Sequence, residues 1–199
     1  MKKILLAPAL LLLFSCAGFR FGSKFSPVYV TNSARYALLP AEKMDGEIDA
    51  LQKMSARFGG QQFDCEAYVI SDKERLSLTF FNGFGATMAS LFFDGERLEF
   101  ESAFFPESLR AEYIVADFQF CLYDARSVRE ALEKIGVDFE LSVFSGADGG
   151  FREIRRLLKD GEEISVITKN FSTEDGVKKL SSIRYENFLR GYSYLLTIL

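Results

Sequence analysis

Residues 63–100, FDCEAYVISDKERLSLTFFNGFGATMASLFFDGERLEF, alternate apolar and polar side chains in four successive runs. Phe63, Cys65, Ala67 and Val69 share one face, followed by Leu76, Leu78 and Phe80, then Met88, Ser90 and Phe92, then Leu98 and Phe100. A period of two is the repeat of a strand that turns every second side chain toward a core. Asp72-Lys73, Asn82-Gly83 and Asp94-Gly95 separate the runs, and Asp, Asn and Gly are residues that close tight turns. Links this short join antiparallel neighbours, so the stretch predicts a β-meander. Phe81, Leu91 and Phe93 make the second face partly apolar, more than a sheet buried on one side requires.

Upstream, Ile48, Ala50, Gln52, Met54, Ala56 and Phe58 alternate like a strand, while Ile48, Leu51, Met54 and Phe58 fit a helix face; periodicity leaves both open. Downstream, Pro106 suits a first helical turn, and Leu109, Tyr113, Ala116 and Phe120, flanked by Ile114, Phe118 and Cys121, predict an amphipathic helix. A second helix is predicted over Ala125 to Lys134, with Gly136 at its end. Strands resume at Val137, Phe139, Leu141 and Val143, then at 151–158, 163–169, 179–188 and 192–198, with turns at Asp148-Gly149-Gly150, Asp160-Gly161 and Asp175-Gly176. The expectation is a mainly β (α+β) fold, a curved antiparallel sheet of eight or nine strands forming an incomplete barrel, with two helices as lid or plug.

The N-terminus carries different information. Lys2 and Lys3 precede the apolar run Ile4 to Phe14, which has the length of a secretory signal and is too short to span a bilayer. Leu13-Phe14-Ser15-Cys16 resembles the bacterial lipobox, with Cys16 as the lipidated first mature residue. The expected organisation is a cleaved lipoprotein signal peptide over 1–15, a lipidated tether over 16–40, and one domain over 41–199. Ala17 stands where aspartate would retain a lipoprotein in the inner membrane, and no acidic cluster follows. The expected location is the outer membrane, lipid-anchored and facing the periplasm.

Composition removes whole function classes. The chain has no histidine, which excludes Ser-His-Asp and Cys-His catalysis and His-containing zinc sites. A net charge of −4 with no basic run argues against nucleic acid. Phe occurs 21 times and Trp not at all, which fits either a stiff packed core or a wide apolar cavity for lipid. An oxidising periplasm permits a Cys65–Cys121 disulfide, whereas the apolar patterning around both suits buried free thiols; the two alternatives stay open. Gly83-Phe84-Gly85 lacks a downstream helix and reads as a turn, not a nucleotide loop. Arg152, Arg155, Arg156 and Lys159 read as a solvated strand face or as a contact for anionic headgroups. Asp117 and Gln119, set among apolar helical neighbours, read as helix-to-sheet hydrogen-bonding groups.

The lipobox, the meander, the helix bearing Ala116-Asp117-Phe118-Gln119, the short helix at Ser127-Val128-Arg129-Glu130-Ala131-Leu132 and the closing Gly191-Tyr192 strand together resemble a family of uncharacterised bacterial outer-membrane lipoproteins. That family is itself similar to the lipoprotein carriers LolA and LolB. The resemblance implies an unclosed β-barrel lidded by helices, whose apolar interior accepts acyl chains. The chain departs from it in lacking tryptophan after the first helix, where Leu122-Tyr123-Asp124 stands.

Three functions compete. The leading one is a non-catalytic lipoprotein, not an enzyme, that binds or transfers a lipid or acylated cargo on the periplasmic side, with Met88, Phe92, Phe100, Tyr113 and Phe118 as candidate cavity wall. It needs neither cofactor nor metal, and its partners would be the membrane, through the anchor, and a lipid or lipoprotein cargo; a monomer is expected. The second is a structural or assembly lipoprotein that holds a protein partner of the envelope. The third, an enzyme working through carboxylates, has no acidic pair that stands out.

Overall fold

The computed structural model describes residues 24–103, 105, 109–146, 150–174 and 176–199. Cys16, the signal segment, the Pro106 turn and the turn residues Asp148, Gly149 and Asp175 lie outside them. Two short strands, β1 (Val28–Tyr29) and β2 (Arg35–Tyr36), form a small hairpin. The first half of the main sheet follows as β3 (Ile48–Phe58), β4 (Gln61–Ser71), β5 (Leu76–Phe81), β6 (Thr87–Phe93) and β7 (Leu98–Ser102). Helices α1 (Ala111–Leu122) and α2 (Ala125–Glu133) come next. The second half is β8 (Asp138–Ser145), β9 (Phe151–Lys159), β10 (Glu162–Glu174), β11 (Val177–Asn187) and β12 (Tyr192–Ile198).

The ten long strands form one antiparallel sheet in the order β7-β6-β5-β4-β3-β12-β11-β10-β9-β8. The chain therefore begins in the middle of the sheet, winds out to one edge, crosses through the two helices to the other edge, and winds back. The halves join where β12 pairs with β3, from Tyr192 opposite Phe58 to Ile198 opposite Gln52. The sheet does not close into a barrel, since β7 and β8 are its two edges. Bulges between Phe80 and Phe81, between Glu163 and Ser165, and between Asn170 and Phe171 add local twist.

The turns of the first half combine side-chain hydrogen bonds with glycines of positive φ, as at Gly85 and Gly95. The Oδ1 atoms of Asp72, Asn82 and Asp94 each accept backbone N–H groups from their own turns, at 2.7 to 3.0 Å. The N–H groups of Arg97 and Glu96 hold the Asp94 carboxyl down at about 2. In the second half, Asp160 and Gly161 both have positive φ, 53° and 85°, the twist of a two-residue hairpin turn.

Three expectations change. The segment Ile48–Phe58 is a strand throughout. In β6 the buried face is Ala89, Leu91 and Phe93, not Met88, Ser90 and Phe92. Leucine and phenylalanine release more apolar area than serine, so they take the core side, and Phe92 lies instead against the Arg97 guanidinium, 5.1 Å from its ring centre. Finally, the domain begins before residue 41: Val28, Val30, Ala34 and Tyr36 are buried in the core, with Phe25 packed against it.

Helix α1 crosses the concave side, packing against β1, β7, β10 and β11, while α2 packs on β8. Asp124 caps α2 by accepting from the Ser127 N–H at 2.8 Å. The C-terminal carbonyls of α1 end inside the protein and need donors there. Arg155 of β9, 1% exposed, supplies them, its Nη1 donating to the Phe120 carbonyl at 3.0 Å and the Tyr123 carbonyl at 2.8 Å. Its Nε donates to Glu153 Oε1 at 2.7 Å, and Lys169 Nζ reaches the same oxygen at 3.0 Å. Arg155 is thus no part of a basic surface, and the others named with it are engaged as well: Arg152 with Asn170, Arg156 with Glu163, Lys159 with the Gly136 carbonyl.

Gln119, fully buried, ties the same helix to the N-terminal segment. Its Oε1 accepts from the Tyr36 hydroxyl and the Leu39 N–H at 2.9 and 3.0 Å, and its Nε2 donates to the Leu39 carbonyl at 2.8 Å. Replacing Arg155 with methionine leaves the Phe120 and Tyr123 carbonyls without their donor and Glu153 with Lys169 alone, so Arg155→Met is expected to lose about 3–5 kcal/mol of stability in urea unfolding. A loss under about 1 kcal/mol would mean that water replaces the guanidinium.

Candidate functional site

The C-terminal half of α1 is packed solid, with Tyr36 edge-on to Phe120 at 4.9 Å between ring centres. The N-terminal half leaves a cavity of about 700 Å³ between the helix and the sheet, within the range of small-molecule sites. Met54, Ala56, Phe63, Phe80 and Phe105 line it from the first half of the sheet and its edge. Tyr113, Ile114, Asp117 and Phe118 line it from α1, and Tyr192, Tyr194 and Leu196 from β12. Phe105 stacks edge-on against Phe63 and Phe80, at 6.2 and 5.6 Å, so three phenylalanines make one wall. Phe58 and Leu189, both exposed, stand at its rim.

Of the candidate wall residues, Tyr113 and Phe118 line this cavity. Met88, Phe92 and Phe100 do not: Met88 and Phe100 pack half-buried against the core, and Phe92 faces Arg97. The phase change in β6 accounts for Met88 and Phe92; Phe100 sits on edge strand β7, away from the lining. The alternation that placed Phe63 and Phe80 inward in β4 and β5 also leads to the wall they form, although only the structure brings Phe105 between them.

Asp117 brings a carboxyl group into the lining. The Tyr192 hydroxyl donates to Asp117 Oδ2 at 2.7 Å. Burial pushes the Asp117 carboxyl up to about 7, against the opposing pull of Tyr192 and Tyr185 hydrogen bonds and the Arg190 charge. Around it Tyr185 stacks on Tyr194 and Tyr192, at 5.1 and 5.7 Å. The Tyr185 hydroxyl lies 3.3 Å from both Ser165 Oγ and Asn187 Nδ2. This set of hydroxyls escaped sequence reading; the i, i+2 spacing of Tyr192 and Tyr194 on one strand face was its available sign.

Cys65 and Cys121 are free, buried thiols in the structure, so the disulfide alternative is not formed. Cys121 Sγ lies 3.6 Å from the Tyr194 hydroxyl. Burial raises Cys65 to about 11, helped by Asp64 and Glu66, and Cys121 to about 12; thiols held protonated in this way are poor nucleophiles.

Residues 49–198, nearly all of the sheet and both helices, match the family described as Protein of unknown function (DUF3261). The chain belongs to that family. Among solved structures, a DUF1329 family protein from Desulfovibrio piger is similar at 12% identity over 79% of this chain and 86% of that one, with a TM-score of 0.33, a likeness too remote to transfer a fold or a function. No curated protein matches the chain. No helix among the described residues is long and apolar enough to cross a membrane.

The Asp117 shift has a testable sign. An unfolded chain releases this proton near pH 4, whereas the folded chain keeps it to about 7. The folded state therefore binds more protons between these values, and its stability falls as pH rises through that window and levels off above it. Asp117→Asn lacks the fall, so between pH 5 and pH 8 its stability relative to wild type is expected to improve by about 2 kcal/mol, read from urea midpoints at each pH. A difference that stays constant with pH would show an ordinary, ionised aspartate.

Proposed function

We propose that this DUF3261 protein is a non-catalytic lipoprotein that binds or transfers a hydrophobic ligand, a lipid or an acylated cargo, from an anchor on Cys16 at the periplasmic face of the outer membrane. The observation that carries the reading is the cavity itself, walled by Phe63, Phe80, Phe105, Ile114, Phe118 and Leu196 and open beside Phe58 and Leu189. Aromatic and aliphatic walls of this extent favour an acyl chain over a polar metabolite. Among the described residues Asp117 is the single carboxylate in the lining, and its hydrogen-bond partner is a tyrosine, so these residues offer no acid–base pair. The lipobox-like sequence and Ala17 support the location. An open sheet with helices across one side is also the architecture expected of a relative of LolA and LolB.

The reading is tested on protein lacking residues 1–16, a form that keeps every residue of the described fold. Extraction and mass spectrometry should find bound lipid, and the delipidated protein should take up a fluorescent fatty acid. Ile114→Trp fills the cavity from the half-buried face of α1 and is expected to weaken uptake at least about tenfold, with its melting temperature within a few degrees of wild type. The chain has no native tryptophan, so the same variant reports ligand by its own emission. Unchanged uptake in this variant, or no lipid in any preparation, would count against the reading.

A second reading, an assembly lipoprotein holding an envelope protein, draws on edge strand β8. Val143 and Phe144 there are 59% and 53% exposed on a strand paired on one side only, with β9, the form of surface that adds a partner strand. Val143→Lys should abolish crosslinking to a partner if that reading holds, and leave fatty-acid uptake as it was if the first one does.

A further inference from the structure

The charged groups around the cavity are sorted by depth. Asp117 sits on the inner side, bonded to Tyr192. Arg190 is exposed and Arg110 half-buried, and both contribute to the lining. Arg57, opposite Ser193, alternates with the cavity-facing Ala56 and Phe58 and so turns its side chain to the other face of the sheet. Tyr113 brings the two mouth arginines together, with the Arg190 and Arg110 guanidinium carbons 5.0 and 5.3 Å from its ring centre, in a chain whose net charge is −4. Arg110 is partly neutralised by Glu112 at 3.5 Å, and Arg190 donates to the Tyr29 carbonyl.

We propose that the cavity takes an anionic amphiphile, its acyl chain against the phenylalanine wall and its acid group held at the mouth by Arg110 and Arg190. This rests on the reading that the cavity holds an acyl chain and adds the class of its headgroup. Guanidinium forks match a carboxylate or phosphate with paired hydrogen bonds. The opposite orientation would bury the acid group beside Asp117 and the tyrosine hydroxyls and leave the chain in water. A cationic head would face the two guanidinium groups at the mouth, and an uncharged head would leave both without a new partner.

The test compares oleate with monoolein, which has the same chain and no charge, on delipidated protein lacking residues 1–16. Oleate is expected to bind at least about tenfold more tightly at moderate salt, with the advantage shrinking as salt rises. The double variant Arg110→Gln/Arg190→Gln should bring oleate to the monoolein level and leave monoolein within about twofold of wild type. Arg190→Gln alone should give part of that effect, and Arg57→Gln, an exposed arginine on the other face of the sheet, should leave both lipids as they bind to wild type. Equal binding of the two lipids by wild type, or equal weakening of both in the variants, would overturn the headgroup assignment while leaving an apolar site. Failure of both lipids to bind would overturn the acyl-chain reading with it.

Discussion

The structure depends on fastening a helix across the concave side of an open sheet. A helix that ends in the interior brings carbonyls with it that no water can reach. Arg155 answers this for α1 with one guanidinium that spans the Phe120 and Tyr123 carbonyls, and the helix dipole favours a cation at that end. A buried cation needs its own counter-charge, which is Glu153. There burial works to raise the carboxyl, but Arg155 and Lys169 outweigh it and hold it below its usual range. The demands of one helix end thus propagate through three charged side chains on two strands.

Fixing α1 at its C-terminal half decides what happens at the other half. Phe120, Leu122 and Tyr123 are packed tightly with Tyr36 and the first turns of α2, whereas Tyr113, Ile114 and Phe118 face open space. A packed core and an apolar cavity both fit the phenylalanine content, and the molecule contains both, one at each end of the same helix. Asp117 and the stacked tyrosines mark the boundary, with polar groups satisfied by one another at the place where core gives way to cavity.

Much of this was legible in the residues. The alternations in β4, β5 and β7 and the turns at Asp72, Asn82 and Asp94 are local, and local signals survive in sequence. The phase of β6 was not, because both of its faces carry large apolar groups and the bulge after Phe80 shifts its register against β5. Arg155 was not legible either. A buried arginine differs from an exposed one only by partners on α1 that lie far away in the chain. For the same reason only Tyr113 and Phe118 of the five proposed wall residues reach the cavity, since a cavity is defined by where the helix rests and not by any one strand. The burial of residues 28–36 against α1 rests on Gln119, whose partners lie about eighty positions upstream.

The pairing of β3 with β12 sets the order in which the molecule can be completed. These strands are the first and last of the sheet in the chain and neighbours at its centre. During synthesis the first half can form its local hairpins early, but its inner edge stays bare until β12 emerges and supplies the seam. Contacts of such long sequence separation form slowly, and a growing chain without them has two half-sheets with no common core. Loss of the last strand would therefore split the sheet down the middle instead of trimming an edge, and a chain organised in this way stays pliable until it is finished.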